Sequence, residues 1–264
     1  MIFKNQTIVI TGGASGIGLA VARIVRENGG VPMLLDSNLQ KLEEAKKELE
    51  LNNSIFGVDV SNEKEIKKSF KMACEGLPPI CGLVCSAGKA PMPKRIEDTK
   101  LSEWNDIISS HLTGTFLSCK IFGSHMAKIG KGSIINISSV VGFNPGPVLA
   151  YGAAKGGIIN LTKSLSVQWA SKNVRVNAIA PGWTDTPLLQ PKERKEKRDL
   201  TPILNAVPQK RLMEAHEIAE LILFLLSQKS SSMTGSIINC DGGTLAGAGW
   251  PPYGGFPNNT KFSP

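Results

Sequence analysis

"TIVITGGASGIGLAVARIVRENGG", residues 7 to 30, is the stretch whose reading decides the fold. A β-branched apolar run, Thr7 to Thr11, enters a glycine-rich turn and then an amphipathic pattern that reaches a Gly where a helix should end. This order predicts a strand, a tight turn and a helix. Glycines let the backbone bend sharply and come close to a pyrophosphate, whose charge is favoured by the N–H groups and dipole of the helix N-terminus. A Gly-rich turn alone also suits a plain loop. Set between a strand and a helix, it points to a dinucleotide.

Working outward, "VPMLLD", "SIFGVDV", "ICGLVCSAG", "GSIINIS", "VRVNAIAPG" and "GSIINCDGG" read as six further strands separated by charged or amphipathic helices. Such alternation predicts βαβ units with right-handed crossovers, hence a doubly wound α/β fold with a parallel sheet of about seven strands and helices on both faces. Ligands of such sheets bind at the carboxyl ends of the strands. Asp36 ends the second strand, where a carboxylate can accept from both ribose hydroxyls and repel a 2′-phosphate. That favours NAD over NADP, the alternative being an Asp that caps a turn before Ser37 and Asn38. Asp59 with Val60 ends the third strand, within range of an adenine amino group.

The 264 residues, 41% hydrophobic, suit one α/β domain, and no linker divides them. The N-terminal apolar run is too short for a signal peptide and no later run approaches a membrane span, so a soluble cytoplasmic protein is expected. Cysteines at 74, 81, 85, 119 and 240 show no zinc spacing and are expected to be buried free thiols. Net charge is +8. The densest basic run, "KERKEKR" at 192 to 198, is interrupted by acids and lacks aromatics, so it reads as a solvated face and not a nucleic-acid site.

"SSVVGFNPGPVLAYGAAKGG", residues 138 to 157, places two serines at a strand end and Tyr151 four residues before Lys155. On a helix that spacing puts phenol and ammonium on one face. A free phenol, with pKa about 10, holds its proton too firmly for a base at neutral pH, and a neighbouring ammonium together with oxidised nicotinamide is expected to lower that value.

These residues together resemble the classical short-chain dehydrogenase/reductase family. Thr11-Gly12 with Gly16-Ile17-Gly18 is similar to its cofactor fingerprint, Asp59-Val60 to its adenine contact, Tyr151 with Lys155 to its catalytic pair, and "VNAIAPGWTDTP" at 176 to 187 to its Pro-Gly motif. The resemblance implies one Rossmann-like domain, reversible hydride transfer between a nicotinamide and an alcohol or carbonyl, and a homotetramer or dimer. It implies Tyr151 as general acid/base beside a catalytic Ser and Lys155. It also implies a cofactor held by Gly12, Ser15, Gly16, Ile17, Gly18, Asp36, Asp59, Val60, Ser86, Ala87, Gly88, Tyr151, Lys155, Pro181, Gly182, Thr184 and Thr186. Three departures stand out. The family's Asn-Asn-Ala-Gly is here Cys85-Ser86-Ala87-Gly88, so its hydrogen bonds must be met differently. His111 stands where the family has an Asn that positions a water behind the Lys; it is either a structural histidine or a relay partner. The usual spacing to the Tyr selects Ser138 as catalytic, whereas the pattern "SSVVG" selects Ser139. Strand alternation lets only one face the site, and Ser139 is preferred because a loop absorbs a deletion more easily than a strand absorbs a register shift.

The resulting expectation is an NAD-dependent dehydrogenase acting on a secondary alcohol or ketone of a small or cyclic metabolite. The alternatives are an oxoacyl-carrier-protein reductase, a non-redox epimerase or dehydratase, and a cofactor-binding member without catalysis. Residues 187–211 are expected to form a substrate lid. The Gly- and Pro-rich tail, 245–264, carries Trp250, Tyr253 and Phe256, either docked on a surface such as a neighbouring subunit or exposed.

Overall fold

The computed structural model describes residues 2–189 and 199–249. In β1 (Thr7–Thr11) Ile8 and Ile10 join the core on one face of the sheet and Val9 the core on the other, as successive side chains of a strand must. The neighbours β2 (Val31–Asp36) and β4 (Ile80–Cys85) run parallel to it, with Val9 opposite both Met33 and Leu83. β3 (Ile55–Gly57) lies outside β2, while β5 (Gly132–Ile137) and β6 (Val174–Pro181) follow β4. Two short strands, β7 (Thr184–Asp185) and β8 (Met213–Glu214), pair with each other apart from the sheet, and β9 (Ile237–Cys240) completes it beside β6. All seven expected strands are present and parallel, in the order β3-β2-β1-β4-β5-β6-β9 of a Rossmann-like doubly wound sheet.

Helices cover both faces, giving three layers. α1 (Gly16–Glu27), α2 (Leu39–Glu48) and, later in the chain, α8 (Thr201–Ala206) and α9 (Ala215–Leu226) pack on Ile8, Ile10, Leu34, Ile135 and Ile179. On the other face α3 (Glu63–Gly76) contributes Ile66 and Ala73. Beside it runs a long helical stretch, α4 (Leu101–Ile108), α5 (Gly114–Ser118) and α6 (Ser124–Ile129), joined by π-turns at Ser109–Thr113 and Cys119–Gly123. Phe122 and Met126 seal it against Leu83 and Ile134 with no exposed surface. Each such fully buried side chain stabilises the fold by about 2 kcal/mol.

α7 (Leu149–Trp169) begins only after Pro145 and Pro147, which disfavour helix at and before their positions. Its buried stripe, Ala150, Ala154, Ile158, Thr162, Ser166 and Trp169, follows helical spacing. Thr162 accepts from the buried Asn136 amide of β5 at 3.0 Å, which sets the helix against the sheet.

Two expectations need correction. The third strand stops at Gly57, and Asp59 lies in the turn beyond it, its N–H donating to Glu65. The cysteines are free, but only Cys85 and Cys119 are buried; Cys81 and Cys240 are half-buried and Cys74 is exposed on the solvent side of α3. Among the described residues no helix is long and apolar enough to cross a membrane.

Candidate active site

Strand order reverses between β2 and β4 about β1, and the glycine turn lies at that point. Gly12 and Gly16 sit at φ 64° and 54°, the left-handed region where a side chain is strained. A Cβ on Gly12 would also fall 2.7 Å from Ala87 Cα, so the turn and the end of β4 approach closely only because Gly12 has none. Ser15 starts α1 in an extended conformation without a side-chain cap, and no acid lies in the first turn. The helix N-terminus therefore keeps its donors and positive dipole for an anion. Ile17 and Gly18 continue the helix, with Ile17 half-buried against the core.

The altered Cys85-Ser86-Ala87-Gly88 segment is tied to β1 by its own means. Ser86 Oγ donates to the Thr11 carbonyl at 2.6 Å and the Ala87 N–H donates to Thr11 Oγ1 at 3.2 Å. Asp36 caps the turn that follows β2 and also binds the glycine turn. Its Oδ1 accepts from the Asn38 N–H at 3.0 Å, a turn cap, while Oδ2 accepts from the Ala14 N–H of the glycine turn at 3.2 Å. The carboxylate is thereby fixed beside the turn with lone pairs to spare. Asp59 Oδ1 accepts from both N–H and hydroxyl of Ser61, which hold its carboxyl below the usual range, and Val60 is buried with its side chain against Gly114.

At the end of β6, Pro181 is buried, and just beyond it the Gly182 N–H donates to the Cys240 carbonyl at 3.0 Å. Thr184 is buried, paired opposite Met213. Thr186 stands over the glycine turn, close enough that a Cβ on Gly16 would touch it at 3.4 Å. Of the expected lid, residues 190–198, including the basic run, lie outside the described residues, as do Trp250, Tyr253 and Phe256 of the tail; Leu189 and Leu200 pack on the core.

At the C-terminal end of β5 the two serines separate. Ser138 Oγ donates to the Lys155 carbonyl at 3.0 Å and faces the helix, whereas Ser139 Oγ accepts from the Val141 N–H at 3.4 Å and faces the Tyr151 hydroxyl, whose ionised form it favours. Lys155 is 4% exposed and its ammonium donates to the Ile137 carbonyl at 2.6 Å, with Nζ 5.3 Å from the centre of the Tyr151 ring. Burial lowers the Lys155 pKa to about 7. Lys155 by itself does not lower the phenol's pKa in the protein. Burial raises the Tyr151 value, and the facing Ser139 hydroxyl only works against that rise. A lysine that itself loses charge near neutral pH is a weak counterweight.

His111, on the first π-turn, is 2% exposed and stands edge-to-face on Tyr151, ring centres 5.0 Å apart. Its Nε2 lies 3.1 Å from the Lys89 N–H and 2.9 Å from the Lys89 carbonyl. Burial and the Lys155 charge pull its pKa to about 3, so the ring is neutral. Its Nδ1 is buried with no hydrogen-bond partner among the described residues. Gly88 is required beside it, because a Cβ there would overlap the imidazole.

These features fit a nicotinamide dinucleotide. An uncapped helix start follows close-packed glycines, a fixed carboxylate flanks the turn, and an orphaned polar atom lies near the Tyr–Lys pair. No cluster of His, Cys, Asp or Glu that could hold a metal occurs among the described residues. Beside Tyr151 opens a cleft of about 200 Å³, walled by the 89–94 loop, α4 and residues 147–150. Sequence reasoning assigned substrate contacts to 187–211 and passed over this wall. Its available signal was Pro91 and Pro93, which interrupt regular structure directly after Gly88.

A family model described as Enoyl-(Acyl carrier protein) reductase matches residues 12–244. The chain belongs to the classical short-chain dehydrogenase/reductase family. It is 34% identical over 253 residues to 2-(S)-hydroxypropyl-CoM dehydrogenase 3 of Xanthobacter autotrophicus, covering 92% of this chain and 98% of that one. It is 33% identical over 250 residues to the 3-oxoacyl-(acyl-carrier-protein) reductase FabG of Thermotoga maritima, covering 93% and 100%. A solved structure titled ribose-5-phosphate isomerase from Brucella melitensis 16M superposes with a TM-score of 0.92 at 31% identity, covering 98% of each chain. Another, titled ElxO with NADP bound, gives 0.85 at 28%, covering 91% and 99%. Members of this oxidoreductase family bind nicotinamide cofactors, and the curated relatives are named as dehydrogenases and reductases.

Proposed function

We propose that the chain, taken as a single domain over residues 1–264, is an NAD-dependent dehydrogenase of the cytoplasm, acting as a dimer or tetramer on a secondary alcohol or ketone of a small or cyclic metabolite. The observation that carries this is the convergence of Ser139, Tyr151 and Lys155 at the end of β5, on the same sheet edge as the glycine turn. The turn from Gly12 to Gly18 would hold the pyrophosphate, and Asp36 would take the ribose hydroxyls, favouring NAD. Asp59 and Val60 would meet the adenine. Ser86, Ala87, Gly88, Pro181, Gly182, Thr184 and Thr186 would line the rest, and residues 187–211 would close over the substrate.

When bound, oxidised nicotinamide supplies a hydride acceptor and a positive charge near the phenol. Tyr151 then holds or moves the proton at the substrate oxygen, taking it during oxidation and returning it during reduction. Ser139 Oγ, facing the phenol, would steady charge on the same oxygen. Lys155, anchored on Ile137, is the basic group one helical turn from the phenol and would reach the nicotinamide ribose. Oxidation is the favoured direction with NAD, because cellular NAD is mostly oxidised. Reduction of a carrier-bound oxoacyl group is a second reading, supported by the net charge of +8 and the FabG relative. The test is Tyr151→Phe: NADH formation with secondary alcohols should fall by about 10²- to 10⁴-fold while NADH still binds. Rates equal to the parent's would remove Tyr151 from the chemistry.

A further inference from the structure

We infer that the cleft beside Tyr151 binds an uncharged, apolar secondary alcohol or ketone of about one ring, and that Glu103 and Asp106 set this preference by neutralising its two lysines. The inference rests on the reading of Tyr151 as the acid/base, which gives the cleft a reacting end. Its floor and rim are apolar: Met92, Trp104, Ile107, Val148 and Leu149, with Met92 70% and Leu149 38% exposed. Exposed apolar side chains gathered around a concavity mark a surface that gains by being covered. A cavity of roughly 150 Å³ holds a benzene-sized ring. The cleft, at about 200 Å³, takes a ring with a small substituent.

Charge decides between a neutral and an anionic ring. Among the described residues, Lys89, Lys94, Glu103 and Asp106 are the only charged side chains of the lining. Lys94 is paired with both oxygens of Glu103 at 2.7 and 2.9 Å, and Lys89 with Asp106 at 3.4 Å. An incoming carboxylate finds no unpaired cation there and meets the two paired carboxylates instead. A neutral ring disturbs neither pair. The 89–94 loop is held in this position by the Lys94 N–H, which donates to the Pro147 carbonyl at 3.1 Å, so the lysines cannot simply swing away with their loop.

The test uses the fluorescence of Trp104 in the cleft wall, which reads binding whether or not turnover occurs. The full chain, with and without NAD, is titrated with cyclohexanol, cyclohexanone and cyclohexanecarboxylate, and Trp104→Phe identifies the part of the signal that belongs to the cleft. The neutral rings should half-saturate at concentrations at least about tenfold below the carboxylate. In Glu103→Gln/Asp106→Asn the freed lysines should improve carboxylate binding by about fivefold while leaving the neutral rings unchanged. Gln at 103 retains an acceptor for the Lys100 N–H at the start of α4, and circular dichroism checks that the variant is folded. Carboxylate binding as tight as that of the neutral rings, an unchanged ratio in the double variant, or no Trp104-dependent signal with any of the three overturns the inference. Loss of NADH formation in these assays with the binding pattern intact would count instead against the proposed dehydrogenase activity.

Discussion

Lys155 carries a charge at a nearly sealed site, and replacing it with Met should change how stability depends on pH. An unfolded lysine titrates at 10.5, whereas the folded one does so at about 7 because burial disfavours the ammonium. Between those values the unfolded chain binds a proton that the folded chain has released, so the contribution of this group to stability rises with pH across the window. From about pH 6.5 to 8.5 the folded lysine passes from mostly charged to almost wholly neutral, which integrates to about 2 kcal/mol. Lys155→Met has no proton to exchange and lacks this gain. Urea unfolding of parent and variant at several pH values within that range gives the difference directly, since the other titrating groups largely cancel on subtraction. The parent should gain about 2 kcal/mol relative to Lys155→Met. Parallel curves would show that the folded lysine keeps an ordinary pKa and that the reasoning from burial is wrong.

The remaining expectations test single contacts. Asp36→Ala should reduce the preference for NADH over NADPH, read as a ratio of dissociation constants from cofactor fluorescence, by about tenfold; an unchanged ratio means the ribose is read elsewhere. Ser138→Ala should cost about 1–3 kcal/mol in urea unfolding through the lost bond to Lys155 and leave turnover near the parent's. Ser139→Ala should do the reverse, with kcat down by about 10²-fold and stability little changed, and the opposite pattern would make Ser138 the catalytic serine. Gly88→Ala should destabilise by about 1–3 kcal/mol through its collision with His111, and adding His111→Ala should recover part of that loss. Strictly additive effects in that cycle would show that the two positions do not touch.

The sheet was legible because strands buried on both faces are nearly continuous apolar runs, as in Ile80–Cys85, and because four glycines stood between one such run and a helical pattern. The third strand read too long because Val58 and Val60 continue its alternation, while the bond from Asp59 to Glu65 that ends it depends on the start of α3. Ser138 and Ser139 could be told apart only through α7, whose Lys155 carbonyl takes the first hydroxyl. His111 was visible as a departure, but its neutrality comes from burial and from the charge of Lys155, while the Lys89 backbone 22 residues away pulls the other way. The phenol's raised pKa has the same origin, since crowding by distant segments leaves no mark in local spacing. The charge balance of the cleft depends on pairs such as Lys94 and Glu103, nine positions apart across a turn, which no periodicity signals.

One residue joins α7 to β5 twice: Lys155 receives the Ser138 hydroxyl on its carbonyl and gives its ammonium to Ile137. The reacting end is thus riveted to the sheet, while the 89–94 wall hangs from bonds to Pro147, to α4 and, through the Lys89 backbone, to His111. For protein engineering this makes residues 90–94 the exchangeable part: grafting a different sequence there retunes what enters, provided Lys89 keeps its backbone bonds to the imidazole that packs on Tyr151.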